Sequence, residues 1–466
     1  MEISFHGADQ HVTGSCHLVE CAGKKILIDC GLYQGAHELV EENGGPFGFD
    51  PADIDLLLLT HAHLDHCGRI PLLVKRGFSG EIISTAASFE LARLVLLDSA
   101  GLQEEEARYQ QRKARRHGQR HARKTEPLYT VLDALNSFER FGRRAQYDQP
   151  LPLADGITAT FIDAGHILGS ASIVLELTEN GQSHRLLFSG DLGYGGRAIL
   201  RNPTPPPAVD TVVMETTYGD RLHKPLQPSI EELYSVIDNT LEHGGNVIIP
   251  TFALERAQEI LYYLREGMEQ GRIKRYINVF LDSPMAISAT EIFRRHPECF
   301  DVDTLDIAND GHDPFHLPGL HFTRETAESM AINNIKGGAV IMAGSGMCTG
   351  GRVRHHLKHN LWDERNAVVF VGYAARGTLA RRIIDGAHRV RIFGEEIHVR
   401  ASIHTIGGFS AHADAAELLA WHRHTGSPAT TFLVHGEKDT MEIFAGKLTD
   451  TQVIMPSQGE AYPLAL

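Results

Sequence analysis

The chain has 466 residues, 42% hydrophobic and 22% charged, the balance of an ordinary globular protein with material for two or three domains. Its net charge of -15 excludes a sequence-independent nucleic-acid coat, which needs basic surface, while leaving local charge free to differ. No apolar run approaches the length of a membrane span and no secretory leader opens the chain, so a cytoplasmic protein without membrane attachment is expected.

Up to about residue 81, short β-like runs alternate with Gly and Asp turns: HLVECAGKKILIDCG, DIDLLLLTHAHLDH, GEIISTAA. Asp29 ends the apolar run 26–28, and either forms a turn or reaches a neighbouring strand-end loop. Residues 55–71, DLLLLTHAHLDHCGRIP, organise the rest. The run 56–59 reads as a buried strand, so His61, His63, Asp65 and His66 fall just past its end, on a rigid base. Imidazole with carboxylate suits zinc or a similar first-row ion. Four candidate ligands within six residues exceed what one open catalytic site uses, which points to two metals. The plain alternative is a histidine-rich surface loop in a chain with 27 histidines. The six cysteines, Cys16, Cys21, Cys30, Cys67, Cys299 and Cys348, form no CxxC pair and fit reduced thiols, with Cys67 a packing residue.

Residues 88–98 have helical periodicity, and the pattern continues over 103–124 with acids first and bases later, the order that suits the helix dipole. This most basic stretch reads as a solvated helix face ahead of a phosphate contact. A short helix is expected over 132–141. After Pro152 the β pattern returns: His166 follows a strand over 158–162 between Gly165 and Gly169, and the strand 186–188 ends in Ser189, Gly190 and Asp191. Asp29, the cluster 61–66, His166 and Asp191 all sit at the ends of apolar strands, the way separated ligands converge on one sheet edge. From Pro228 to about Gly394 helices alternate with β-like runs, implying a parallel sheet flanked by helices.

HAHLDH, GHILGS and SGDLG, preceded by IDCG, resemble the metallo-β-lactamase fold, an α/β protein built as an αβ/βα sandwich with a dinuclear zinc site at the sheet edges. METTYGDR with Glu215, GGFSAHAD with His412 and LVHGEKD with His435 resemble the further motifs of the β-CASP branch, the RNA- and DNA-processing nucleases that include the cleavage and polyadenylation endonuclease and compact bacterial relatives. The resemblance covers essentially the whole chain. It implies a first domain over 1–218, an inserted β-CASP domain over 219–394 and a return over 395–466, with nothing after Leu466 for an added RNA-binding module.

The same resemblance implies two zinc ions per chain, with Mn2+ able to substitute: His61, His63 and His166 on one, Asp65, His66 and His435 on the other, Asp191 bridging and Asp29 orienting the ligand loop from behind. A hydroxide shared by the metals would attack the phosphodiester, Asp191 counting as catalytic through that bridge. His412 would be the general acid, with Glu215 orienting it, and the products would carry 5′-phosphate and 3′-hydroxyl ends. The Gly-rich loops 344–352 and 372–382 resemble loops that bind the substrate backbone, with Ser345, Gly346, Arg376 and Thr378 as candidates. The expected activity is zinc-dependent hydrolysis of single-stranded RNA in a cleft between the domains, by a chain that can form a homodimer. A DNA-directed β-CASP nuclease is the nearest alternative. A small-molecule zinc hydrolase fits less well with the inserted domain and the His412 motif, and a non-enzymatic scaffold is at odds with the complete ligand set. Endonuclease and 5′ exonuclease action both stay open.

Overall fold

Two seven-stranded sheets form the first of two compact units, which comprises Met1–Gly195, Asn202–Leu222 and His412–Leu466. The computed structural model describes residues 1–35, 37–116, 126–273, 276–372, 374–375 and 377–464. One sheet runs in the order Ala461–Pro463, Glu2–Phe5, His17–Cys21, Lys24–Ile28, Leu56–Leu58, Glu81–Thr85, Phe141–Ala145. The other runs Gln452–Ile454, Thr430–Val434, Thr211–Glu215, Gln182–Phe188, Ala171–Glu179, Ile157–Asp163, Leu151–Ala154.

A single core cluster joins Ile26, Ile28, Leu58 and Ile83 of the first sheet to Phe161, Ile173, Phe188, Val213 and Phe432 of the second, so the sheets pack face to face. The second sheet's other face carries Val212, Met214 and Leu433, covered by Leu418 and Trp421 of the helix Ala415–Arg423 and by Met441 and Phe444 of the helix Lys438–Ala445. Helices on the outside and sheets within make the expected αβ/βα sandwich. A strand covered on both faces needs no polar alternation, which is why Leu56–Leu58 is a run of three buried leucines.

Strand direction places the site. Lys24–Ile28, Leu56–Leu58 and Glu81–Thr85 pair in parallel, with Ile28 opposite Leu58 and Leu58 opposite Ile83, so the residues after each leave at one edge. In the partner sheet Gln182–Phe188, Thr211–Glu215 and Thr430–Val434 are also parallel, which releases Ser189, Thr216 and His435 together. Ile157–Asp163 shares their direction, because it and Gln182–Phe188 are each antiparallel to Ala171–Glu179.

The second unit comprises Gly196–Arg201 and His223–Ala411. Its main sheet has six strands, all parallel, in the order Leu320–Phe322, Asn278–Leu281, Ala339–Ala343, Val247–Pro250, Ala367–Phe370, Ser402–Thr405. The helices Arg256–Glu269, Pro284–Arg295 and Val353–Asn360 lie in the connections between them, and Leu226–Glu242 leads into the first. The chain returns to the first unit at His412. Glu395–His398 pairs with Arg389–Ile392, and Ser402–Thr405 completes the sheet beside Ala367–Phe370, which ties 395–411 to this unit.

The helical pattern expected over 88–98 and continuing over 103–124 is one helix, Ala86–Arg116; residues 117–124 of that expectation lie outside the described residues. The expected helix 132–141 is Val131–Ser137, started by a Thr130–Asp133 capping box and followed by a 3-10 turn, and Phe141 opens a strand. No described helix is long and apolar enough to cross a membrane.

Candidate metal centre

The loop after Leu56–Leu58 turns at once into a short helix, Leu64–Cys67, with His63 as its first cap. This puts His61 and His63 before the helix and Asp65 and His66 on it. His61 Nε2 lies 3.1 Å from His63 Nδ1, which lies 3.2 Å from His166 Nε2. Asp191 Oδ2 completes the group, 3.5 Å from His61 Nε2 and 3.6 Å from His166 Nε2. In a second group His66 Nε2 lies 3.3 Å from His435 Nε2, which is 3.5 Å from Asp65 Oδ2. Asp191 Oδ1 stands 3.3 Å from His66 Nε2 and 3.5 Å from His435 Nδ1.

These separations test whether metal fits. Donors about 2.0–2.1 Å from a tetrahedral ion sit about 3.3 Å from one another, close to the nitrogen separations seen here. Ring nitrogens facing each other in threes gain little as hydrogen-bond partners, since each neutral imidazole has one donor. Asp191 Oδ1 is fully buried without a hydrogen bond of proper geometry, a cost that a cation removes. The donor set therefore fits two ions, with one oxygen of Asp191 turned towards each group.

Electrostatics agree. Burial, with His66 nearby, holds the His61 imidazole well below its ordinary value, and burial lowers His63 to about 4, so both present neutral nitrogens. Burial opposes the Asp191 charge, but His435, His66 and His61 outweigh it and hold the carboxyl well below its usual range.

Asp29 occupies a left-handed conformation, φ 61°, and does more than turn the chain. Its carboxylate accepts from the Thr60 N–H at 2.8 Å and the Thr60 hydroxyl at 2.8 Å, and sits 2.7 Å from His66 Nδ1. Thr60 Oγ1 is in turn 3.1 Å from His61 Nδ1. On the opposite side Thr217 Oγ1 lies 3.1 Å from His435 Nδ1. Sequence reasoning passed over both threonines. Their signal was adjacency: Thr60 directly precedes His61, and Thr217 lies two residues past the strand-end Glu215.

His412 Nδ1 faces both oxygens of Glu215, at 3.2 Å each, and its Nε2 points towards Asp191 Oδ2 at 4.0 Å. Glu215 also accepts from the N–H groups of Leu192 and Thr217. Asp191, Glu215 and His412 could by distance hold an ion themselves, but Glu215 is committed to these donors. Burial disfavours the charged imidazole, yet Glu215, then Asp191 and Asp65, outweigh it and raise His412 to about 9.

The substrate-loop candidates lie in the second unit. Ser345 and Gly346 follow the strand Ala339–Ala343, and Ser345 Oγ is 3.4 Å from Thr349 Oγ1. The loop is pinned by Arg352, which donates to Asp282 Oδ1 at 2.7 Å and to the carbonyls of Thr323 and Arg324. Thr378 caps the helix Leu379–Ile384: its hydroxyl donates to the Ala375 carbonyl at 2.7 Å and accepts from the Arg381 N–H, which spends its proton inside the protein. Arg376 lies outside the described residues.

Comparison with known proteins accords with this geometry. The metallo-beta-lactamase superfamily model matches residues 11–237, the Beta-Casp domain 257–383, and the Zn-dependent metallo-hydrolase RNA specificity domain 396–456. The chain is 40% identical over 467 residues to a Thermus thermophilus protein named Ribonuclease TTHA0252, covering 100% of both chains. It is 31% identical to the transcription termination factor FttA of Methanocaldococcus jannaschii, over 96% of this chain and 68% of that one. An RNase J-like protein of the same organism is 29% identical over 99% of each. A crystal structure of a protein of unknown function from Enterococcus faecalis V583 shares the fold, with TM-score 0.56 and 12% identity over 99% of each chain.

Proposed function

The chain belongs to the β-CASP branch of the metallo-β-lactamase superfamily and is a hydrolytic nuclease, and from that premise we propose that it is a two-zinc ribonuclease acting on single-stranded RNA in the cytoplasm. The observation that carries this reading is the two-sided placement of Asp191, one oxygen against each ligand group, beside the Glu215–His412 pair. His61, His63 and His166 hold one ion, Asp65, His66 and His435 the other, and Asp191 joins them. Two ions held by these residues would supply Lewis acidity, lowering the pKa of a water towards neutrality and offsetting charge on the phosphodiester.

The protein's own groups do the rest. Asp29 and Thr60 fix the ring orientation of His66 and His61, and Thr217 does so for His435. Glu215 keeps the proton on His412 Nδ1, which leaves Nε2 to give its proton to the departing 3′ oxygen. The products then carry 5′-phosphate and 3′-hydroxyl ends. Ser345 and Gly346 support the substrate backbone through a loop that has no base preference.

The test is to incubate metal-assayed protein with end-labelled single-stranded RNA and matched DNA. Cleavage of RNA, abolished by a chelator and by His63→Ala, is expected. Absence of RNA cleavage with both zincs present overturns the reading in favour of a small-molecule hydrolase, and cleavage of DNA in preference to RNA moves it to a DNA-directed nuclease.

A further inference from the structure

The strand Val247–Pro250 lies inside the six-stranded sheet, between Ala339–Ala343 and Ala367–Phe370, all running the same way. Their C-terminal ends release Thr251 and Phe252, the loop 344–351, and Gly372 at one edge. From Val247–Pro250 the chain moves to one side of the sheet, and from Ala339–Ala343 it crosses to the other. Such a reversal of direction is where open parallel sheets hold ligands. Every residue of these three strands is buried, yet Phe252, directly after the inner one, is 42% exposed.

The flanking loops make room for that ring. A methyl group added at Gly346 would stand 2.8 Å from Phe252 Cε2 and 2.9 Å from Cδ2, and one added at Gly372 would stand 3.6 Å from Cε2. Gly346 thus leaves the space where the ring lies, and Gly372 approaches it from the other neighbouring strand at ordinary contact distance. The loop beneath is held in shape by Arg352 on Asp282, by the Val353 N–H on the Gly344 carbonyl and by the Cys348 N–H on the Ser345 carbonyl. A scattered exposed Phe is ordinary on any protein. This one is set apart by its place, at the reversal point of a parallel sheet, against a glycine loop of the kind that lets a phosphate approach the main chain.

We propose that Phe252 is a stacking platform for a base of single-stranded RNA, with the adjoining phosphodiester on the main chain of the loop 344–351. The inference rests on the ribonuclease reading above. An aromatic ring accepts any of the four bases, since each has a π-face, so the platform adds affinity without sequence preference. A main-chain anion site beside it is equally indifferent to sequence. Together they hold one nucleotide by the two parts common to all of them.

The experiment uses the zinc-loaded full-length protein and a fluorescent single-stranded RNA, with thermal melts confirming that each variant is folded. Phe252→Ala is expected to raise KM roughly tenfold with kcat within about twofold, Phe252→Tyr to restore the KM, and Phe252→Leu to behave like alanine. Phe252→Trp is expected to lose emission on binding RNA, and to lose none with an abasic oligomer of the same length. A wild-type KM in Phe252→Ala or Phe252→Leu, while the wild type cleaves RNA, overturns the stacking role and leaves the ribonuclease reading standing. So does a tryptophan signal that the abasic oligomer changes equally. A wild type that neither binds nor cleaves RNA overturns both.

Discussion

At Asp191 two oxygens of one side chain face two separate groups of ligands, so its loss should be felt twice. Asp191→Asn is expected to lower the affinity of both metals, whereas His63→Ala lowers chiefly one; metal content measured after dialysis distinguishes them. Asp29→Asn keeps the shape but weakens the contacts to Thr60 and His66, and should cost about 10–100-fold in metal affinity. His412→Ala should leave metal content intact and slow RNA cleavage about 10²–10⁴-fold. The pH sign follows from the raised value. His412 is the donor only while protonated, so cleavage should fall as pH rises through about 9, and at lower pH once bound cations add their repulsion. The Glu215 interaction likewise stabilises the fold fully below the ordinary histidine value, and that contribution is lost as pH rises through about 9. Glu215→Gln should move the alkaline limb of the rate profile to lower pH. Whereas His435 came from the resemblance of its motif, the candidate ligands His61, His63, Asp65, His66, His166 and Asp191 were legible in the sequence because histidines and acids cluster past apolar runs. Thr60 and Thr217 were not, since a hydroxyl two bonds from the backbone has no pattern until a fold points it at a ring. Asp29 fell between the two, because a turn residue and a ligand-orienting carboxylate look alike until the neighbouring strand is in place.

Among the elements, the run of buried leucines was the most reliable guide, because a strand covered on both faces writes itself as continuous apolar sequence. Leu57, wholly buried, should cost about 2–5 kcal/mol when replaced by alanine, measured by denaturant unfolding. Because the ligand loop grows from this strand, metal affinity should fall with it. Helix ends were read less well. The pattern read over 88–98 and on over 103–124 is one helix, Ala86–Arg116 among the described residues, and Gly101 inside it is tolerated. The strand Phe141–Ala145 escaped notice because Gly142, Arg143 and Arg144 give it no apolar alternation; it is held by Arg143 on Glu81 and by pairing to Glu81–Thr85.

At the scale of the molecule, the order of motifs conveyed the fold and the insertion, while residues 395–411 carry no motif that says which unit they pack with. Glu395–His398 forms a hairpin of its own with Arg389–Ile392, and only Ser402–Thr405 joins the six-stranded sheet, by backbone pairing with Ala367–Phe370 that no local pattern announces. The inserted unit has its own buried keystone in Asp282, fully enclosed and paired to Arg352 and His356. Burial opposes its charge, but His356, Ser329 and Arg352 outweigh that and hold it at about 2. The stabilisation it provides is therefore present above the ordinary carboxyl value and lost as pH falls through about 2. Asp282→Ala leaves Arg352 and His356 without their partner and should cost about 3–5 kcal/mol, seen as early melting of this unit and a raised KM for RNA.

The ligand set also has an order in time. His61, His63, Asp65, His66, His166 and Asp191 precede the inserted unit, while His412, just ahead of the helix Ala415–Arg423, and His435, directly after the strand Thr430–Val434 that pairs with Thr211–Glu215, follow it. A ribosome making this chain must translate the whole insertion before the second candidate ligand group and the Glu215–His412 pair can form. Until the motif with His435 has left the exit tunnel, the growing chain carries an incomplete ligand set.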